Sequence, residues 1–253
     1  MTAERRALML HEMGLSPQWH LRGEAAMPAV VTLPLMDAPV VAPVVAAAGA
    51  DERCGRIMAM DWPQLKASVA DCTQCGLHAG RTKTVFGVGD ENADWLFVGE
   101  GPGADEDVQG EPFVGQAGKL LDAMLAAIQL KRGANVYIAN VVKCRPPGNR
   151  NPEADETLAC QPYLHRQIDL IKPKLIVALG KVAAVNLLAR EASVASLRNK
   201  IHQYRGIPLI VTYHPAYLLR SLAEKARAWE DLCFAVDTLN TIRGLKNGNA
   251  ETI

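Results

Sequence analysis

The residues able to do chemistry gather in a few short segments of this 253-residue chain, and its cysteines have the clearest spacing. Cys72 and Cys75 form a C-x-x-C pair whose thiolates can reach one metal centre, and Cys144 and Cys160 follow 69 and 85 residues beyond Cys75. Four cysteines complete either a tetrahedral zinc site or a [4Fe-4S] cluster. Zinc ribbons present two close pairs, so the open spacing of the second pair fits a cluster better than zinc. Four unlinked buried cysteines are the third reading, and Cys54 and Cys233 read as small hydrophobes. A second segment, GEGPGADED from Gly99 to Asp107, has the look of a phosphate-binding loop. It lacks the third glycine of the dinucleotide fingerprint, and its three consecutive carboxylates repel a pyrophosphate at a helix N-terminus. The chain has no G-x-x-x-x-G-K-[ST] sequence either, which argues against a P-loop nucleotide hydrolase.

These segments need elements to position them. Apolar runs predict strands over 95–99, 136–142, 175–179 and 209–212, with helices over 65–70, 117–130, 158–171, 181–190 and 229–243. Short apolar strands alternating with helices imply an α/β fold, a three-layer α/β/α sandwich around a central, mostly parallel four-stranded sheet. Chemistry in such sheets collects beyond the carboxyl ends of the strands. There the four strands run into the GEGPG loop, into Asn140 and Cys144, into Gly180-Lys181, and into Tyr213-His214-Pro215. The first 64 residues differ: a short amphipathic helix within 1–22 precedes an Ala/Val/Pro-rich tether in which Pro28, Pro34, Pro39 and Pro43 deny both helix and central strand. This patterning divides the chain into an N-terminal extension at 1–64, a folded domain at 65–243 and a flexible tail at 244–253.

Composition narrows the class further. With 49% hydrophobic and 21% charged residues the chain is globular, and 27 basic side chains balance 27 acidic ones. The balance hides a segregation, since residues 65–130 hold 4 Lys/Arg against 10 Asp/Glu while residues 131–227 hold 16 against 6. A cationic half can attract a polyanion even in a neutral molecule, because charges beyond a Debye length of about 8 Å are screened. No run of 18 apolar residues predicts a membrane span, and Met1 to Gly23 has no apolar core of a secretory signal. Six cysteines are too few for a disulfide scaffold, so a reducing, cytoplasmic setting is expected.

Taken together, the motifs resemble the family 4 uracil-DNA glycosylases, the iron-sulfur branch of the uracil-DNA glycosylase superfamily. The matching pieces are Cys72-x-x-Cys75, GEGPGADED with the downstream GEPFVGQAG (Gly110 to Gly118), NVVKCRPPGNRNP (Asn140 to Pro152), Cys160 and HPAYLLR (His214 to Arg220). The resemblance implies excision of uracil from DNA by a monofunctional hydrolase, with a [4Fe-4S] cluster on Cys72, Cys75, Cys144 and Cys160 as a structural tie. It casts Phe113 as the ring under the extruded base and Asn140 as the group that pairs with uracil N3-H and O4 but mismatches cytosine. By the same resemblance, Gly101 is expected in the substrate site where other branches carry an Asp, and Glu106 is expected to fill the space that a Tyr takes in some relatives at the position of Gly103, excluding the thymine methyl. The resemblance further implies that His214 donates to uracil O2 as charge develops there, and that Glu100, with a contribution from Asn140, orients the water or stabilises the cationic sugar. Lys143, Arg145, Arg150 and Arg220 are expected on phosphates, with Leu218 and Leu219 as the wedge that enters the gap in the stack. Arg145 to Pro152 contains no histidine, so no covalent trapping is expected.

A competing class is a non-catalytic DNA- or polymerase-binding module whose cluster only holds the fold. The expected partner is uracil-containing DNA, bound by a monomer, with the N-terminal extension available to a replication or repair protein.

Overall fold

The computed structural model describes residues 47–244. Its elements in chain order are α1 (Ala47–Ala59), α2 (Trp62–Ala70), β1 (Val88–Gly89), β2 (Trp95–Gly99), α3 (Ala104–Gln109), α4 (Gln116–Ala127), β3 (Val136–Asn140), α5 (Ala154–Ile171), β4 (Leu175–Leu179), α6 (Gly180–Leu188), α7 (Val194–Leu197), β5 (His202–Tyr204), β6 (Ile207–Thr212), α8 (Pro215–Arg220) and α9 (Glu224–Ile242).

Every residue of β2, β3 and β4 is buried, as strands covered on both faces require. They pair in parallel with β6 in the order β3-β2-β4-β6, which are the four strands that the apolar runs predict. The sheet nevertheless has six strands rather than four, because β1 and β5 add short antiparallel edges at its two ends. Neither carries an apolar run: β1 has two residues, and β5 reads His-Gln-Tyr.

Alternation along the strands builds two cores. Leu96, Val98, Ala139, Ile176 and Val211 face one layer with Leu65 and Val69 of α2 and Leu164 and Ile168 of α5. Trp95, Phe97, Ile138, Val177 and Ile210 face the other, with Leu121 and Leu125 of α4 and Leu232 and Leu239 of α9. The expected α/β/α sandwich is present.

The folded unit begins earlier than residue 65. Helix α1 packs on α5, where Ile57 is 2% exposed within the same core as Leu65. The Arg166 side chain donates to the Met60 carbonyl at 2.6 Å, and the Arg53 guanidinium lies 5.1 Å from the Tyr163 ring centroid. Cys54 therefore sits in a helix, not in a tether. Helix α2 then starts on a capping box in which Asp61 and Gln64 satisfy one another's backbone N–H groups at 3.0 and 3.1 Å. The helix expected within 1–22, the four tether prolines and the tail beyond 244 lie outside the described residues.

Candidate functional site

A cleft of about 640 Å³ opens at the carboxyl ends of β2, β3, β4 and β6. It is lined by Glu100, Gly101, Glu106, Phe113, Asn140 and His214, which are all of the expected catalytic and base-binding residues. Their convergence depends on Gly99, the last residue of β2. A Cβ there lies 2.5 Å from Asn140 Oδ1 and 2.6 Å from Phe113 Cζ, so any larger residue drives the amide and the ring apart.

Asn140 ends β3 and is 1% exposed, yet neither Oδ1 nor Nδ2 has a hydrogen-bond partner. A buried polar group left unpaired costs about 1–3 kcal/mol. Fixed beside a cleft, this amide offers one donor and one acceptor in a set geometry. Phe113 sits in the left-handed region at φ 56° and is 6% exposed. Arg132 secures that turn by donating to the carbonyls of Pro112 and Phe113 at 2.7 Å each, and Asp122 holds Arg132 at 3.1 Å. No sequence signal marks Arg132, which lies 19 residues beyond the ring that it positions.

Glu106 has a second job beside the one expected. Its Oε2 accepts from the Gly103 N–H at 3.0 Å, and its Oε1 accepts from Val114 and Gly115 at 2.9 and 3.0 Å. One carboxylate thus ties the GEGPG loop to the Phe113 loop. Its Oε2 also lies 2.6 Å from where a Gly103 Cβ would stand, so it occupies the space beside that glycine.

His214 caps α8, its Nδ1 accepting the Ala216 N–H at 3.2 Å. With Nδ1 an acceptor, the proton of the neutral ring resides on Nε2. The ring is neutral because burial, reinforced by the charge of Arg220, draws its pKa down to about 4. It lies 5.5 Å from the Phe113 ring, centroid to centroid. Gly180 allows this placement: at φ +88° it passes so close that a Cβ would meet His214 Cβ at 2.9 Å. Burial also raises the Glu100 carboxyl above its ordinary range.

Below β3, Cys72, Cys75, Cys144 and Cys160 line one small cavity together with Arg81 and Lys143. Arg81 donates to Cys144 Sγ at 3.1 Å and to the Cys72 carbonyl at 2.6 Å, and the Lys143 N–H donates to Cys160 Sγ at 3.3 Å. Among the described residues, no three Cys, His, Asp or Glu side chains converge tightly enough for a single metal ion. Burial raises the thiols of Cys75, Cys144 and Cys160, the last to about 12.

A family profile described as the uracil DNA glycosylase superfamily matches residues 86–233, which include Asn140, Cys144, Cys160 and His214. The chain belongs to that superfamily. It is 46% identical over 159 residues to the type-4 uracil-DNA glycosylase of Archaeoglobus fulgidus, covering 60% of this chain and 79% of the relative. It is 42% identical over 181 residues to that of Pyrobaculum aerophilum, covering 68% and 92% respectively. The corresponding enzyme of Sulfurisphaera tokodaii is 46% identical over 164 residues, covering 62% and 74%.

Around the rim of this superfamily cleft, the expected DNA contacts divide. Arg220 lines the cleft and is exposed, and Arg145 is partly exposed with its Nε on Asn149 Oδ1 at 2.8 Å. Arg150 lines it too, but its guanidinium is spent bidentately on Glu156 at 2.6 and 2.8 Å, which offsets its charge. Lys143 is not a surface cation at all. It is 1% exposed, and its Nζ donates to the Asn140 carbonyl at 2.8 Å and to Gln167 Oε1 at 2.6 Å. Burial pulls its pKa down to about 8. Leu218 is 1% exposed and packed inside, so it is no wedge, whereas Leu219 is 43% exposed. Leu222, at 65%, is a second exposed leucine just past α8 that the motif did not single out.

Proposed function

We propose that this chain hydrolyses the N-glycosidic bond of uracil in DNA, leaving an abasic site as the first step of repair of deaminated cytosine. The observation that carries the reading is the unpaired, buried amide of Asn140 in the cleft that Phe113 and His214 also line. Uracil entering the cleft stacks on Phe113 and gives N3-H to Asn140 Oδ1 while O4 accepts from Nδ2. Cytosine reverses both and leaves two buried groups unpaired.

As the glycosidic bond breaks, negative charge gathers at O2 and positive charge on the sugar. His214 supports the reading by its tautomer: the neutral ring keeps a proton on Nε2 and donates without giving up the proton. Such a preorganised donor contributes about 3–4 kcal/mol in the transition state. Glu100, half-buried at the mouth, orients the attacking water or stabilises the cationic sugar. Glu106 holds the two loops together and keeps the space beside Gly103 closed to a thymine methyl.

The four-cysteine cavity fits a [4Fe-4S] cluster on Cys72, Cys75, Cys144 and Cys160 better than a single zinc ion, since the four thiols line one cavity without three of them converging on a single point. When bound, such a cluster supplies a covalent tie between the Cys72 segment and the Cys144 to Cys160 loop. Lys143, next to Cys144, braces the Asn140 carbonyl, while Arg145 of that loop and Arg220 of α8 reach phosphates. Leu219 enters the gap in the stack. The chain acts as a monomer, and a replication or repair protein binds through the N-terminal extension.

Incubation with matched oligonucleotides containing uracil, thymine or cytosine, followed by alkali, tests the reading. Scission with uracil alone is expected. DNA binding without scission by iron-replete protein overturns it in favour of a binding module.

A further inference from the structure

The cleft has an aromatic rim that none of these roles uses. Tyr213, the residue after β6, and Tyr217 in α8 both line it, with their rings stacked at 5.3 Å between centroids and 27° between planes. Behind Tyr213 lies the Arg198 guanidinium, 5.3 Å from the ring centroid. Arg198 is pinned in turn: its Nε donates to Asp231 Oδ2 at 2.8 Å, and Thr212 Oγ1 donates to the same oxygen at 2.7 Å. The Asp231 side chain is fully buried and that of Arg198 is 9% exposed. A buried ion pair adds little net stability, because desolvation offsets the attraction. Its contribution here is fixed geometry. The result is a ladder from Asp231 through Arg198 and Tyr213 to Tyr217, starting on the buried face of α9 and ending at a residue 38% exposed at the cleft.

The end of such a ladder suits one class of ligand, a flat base. Drawing a nucleotide into the cleft strips its neighbour of one stacking partner, and an aromatic ring replaces that partner without regard to base identity. We propose that Tyr217 stacks on the nucleobase adjacent to the one held in the cleft, with Tyr213, Arg198 and Asp231 as positioning residues behind it. This rests on the DNA reading above and deepens it by adding a subsite for the flanking nucleotide.

The test is a cycle between protein and DNA. Single-stranded oligonucleotides carry a 2′-fluorinated deoxyuridine, whose glycosidic bond resists the oxocarbenium-like step, and the base on its 5′ or 3′ side is replaced by an abasic spacer. On one of the two sides, base removal weakens binding to the wild type and to Tyr217→Phe about tenfold, and to Tyr217→Ala less than twofold. Equal losses for Tyr217→Ala and wild type, or no loss for wild type on either side, overturn the proposal. Excision of ordinary uracil by the wild type is read separately. Excision without the coupling sinks only the subsite, and coupling without excision sinks only the glycosylase reading.

Discussion

A buried primary amide with neither polar atom paired survives only where its geometry is fixed from outside, and Asn140 is fixed through its backbone. Lys143 Nζ caps its carbonyl, and Gln167 on α5 holds Lys143 while donating to the Phe86 carbonyl at 2.9 Å. The side chain keeps both polar atoms unpaired, as the base-reading role proposed for it requires. Asn140→Asp removes the donor for O4 and places a carboxylate against it, so uracil excision is expected to fall about a hundredfold or more and the margin over cytosine to narrow, measured as single-turnover rates on the two substrates. His214 gives a signed pH prediction. Its folded pKa of about 4 lies below the ordinary 6.5, so the unfolded chain binds a proton that the native one refuses between those values. His214 therefore withdraws stability as pH falls through that window. Melting of His214→Asn is expected to drop less steeply there than melting of the wild type, while its excision rate falls about a hundredfold. Glu100 is shifted the other way, upward by burial. Excision that uses its carboxylate rises with pH through a point above the usual carboxylate range, and Glu100→Gln is expected to give a flat profile over that limb.

At the scale of elements, the strand ends set the site, and close approach of backbones sets the strand ends. Gly180 opens α6 at φ +88° with His214 Cβ beside it, so Gly180→Ala strains the turn and pushes the imidazole away from Phe113. Excision is expected to fall at least tenfold with the fold retained, a melting shift of a few degrees in circular dichroism being the limit for about 1–2 kcal/mol of strain. How far these elements could be read from sequence follows from what each uses to announce itself. The four parallel strands are apolar runs and stood out, while the two edges are too short and polar to form one. Helix α1 was hidden because an Ala/Val/Pro-rich stretch precedes it, although Ile57 is core. Leu218 and Leu219 are adjacent in sequence, and about 100° of helical rotation per residue turns one inward and leaves the other in water. The motif named both and could not choose. Lys143 misled for a similar reason, since a lysine between two valines and a cysteine reads as a surface charge until the neighbouring acceptors, one of them 24 residues away, are in place.

Across the whole molecule, neutrality at formal net charge +0 conceals a basic half between residues 131 and 227. Only part of that charge can meet DNA, and the structure sorts it. Each phosphate neutralised by an exposed cation releases a counterion, giving a slope of log affinity on log salt of about −0.9 per contact for duplex and about −0.7 for single strands. Arg220 is exposed at the cleft and Arg145 is partly exposed beside it, so Arg220→Ala and Arg145→Ala are each expected to reduce the slope by about one contact. Arg150 carries Glu156 against it, and its removal leaves that carboxylate behind; Arg150→Ala is expected to weaken the cysteine-bearing loop more than it changes the slope. Lys143 supplies the contrast. Its ammonium lies inside, on Asn140 and Gln167, so Lys143→Met leaves the slope unchanged and lowers excision instead, through loss of the brace on Asn140. Titrating the four variants across salt with one fluorescent uracil oligonucleotide separates these outcomes. A slope that drops for Lys143→Met would return that residue to the DNA surface and remove it from the pocket.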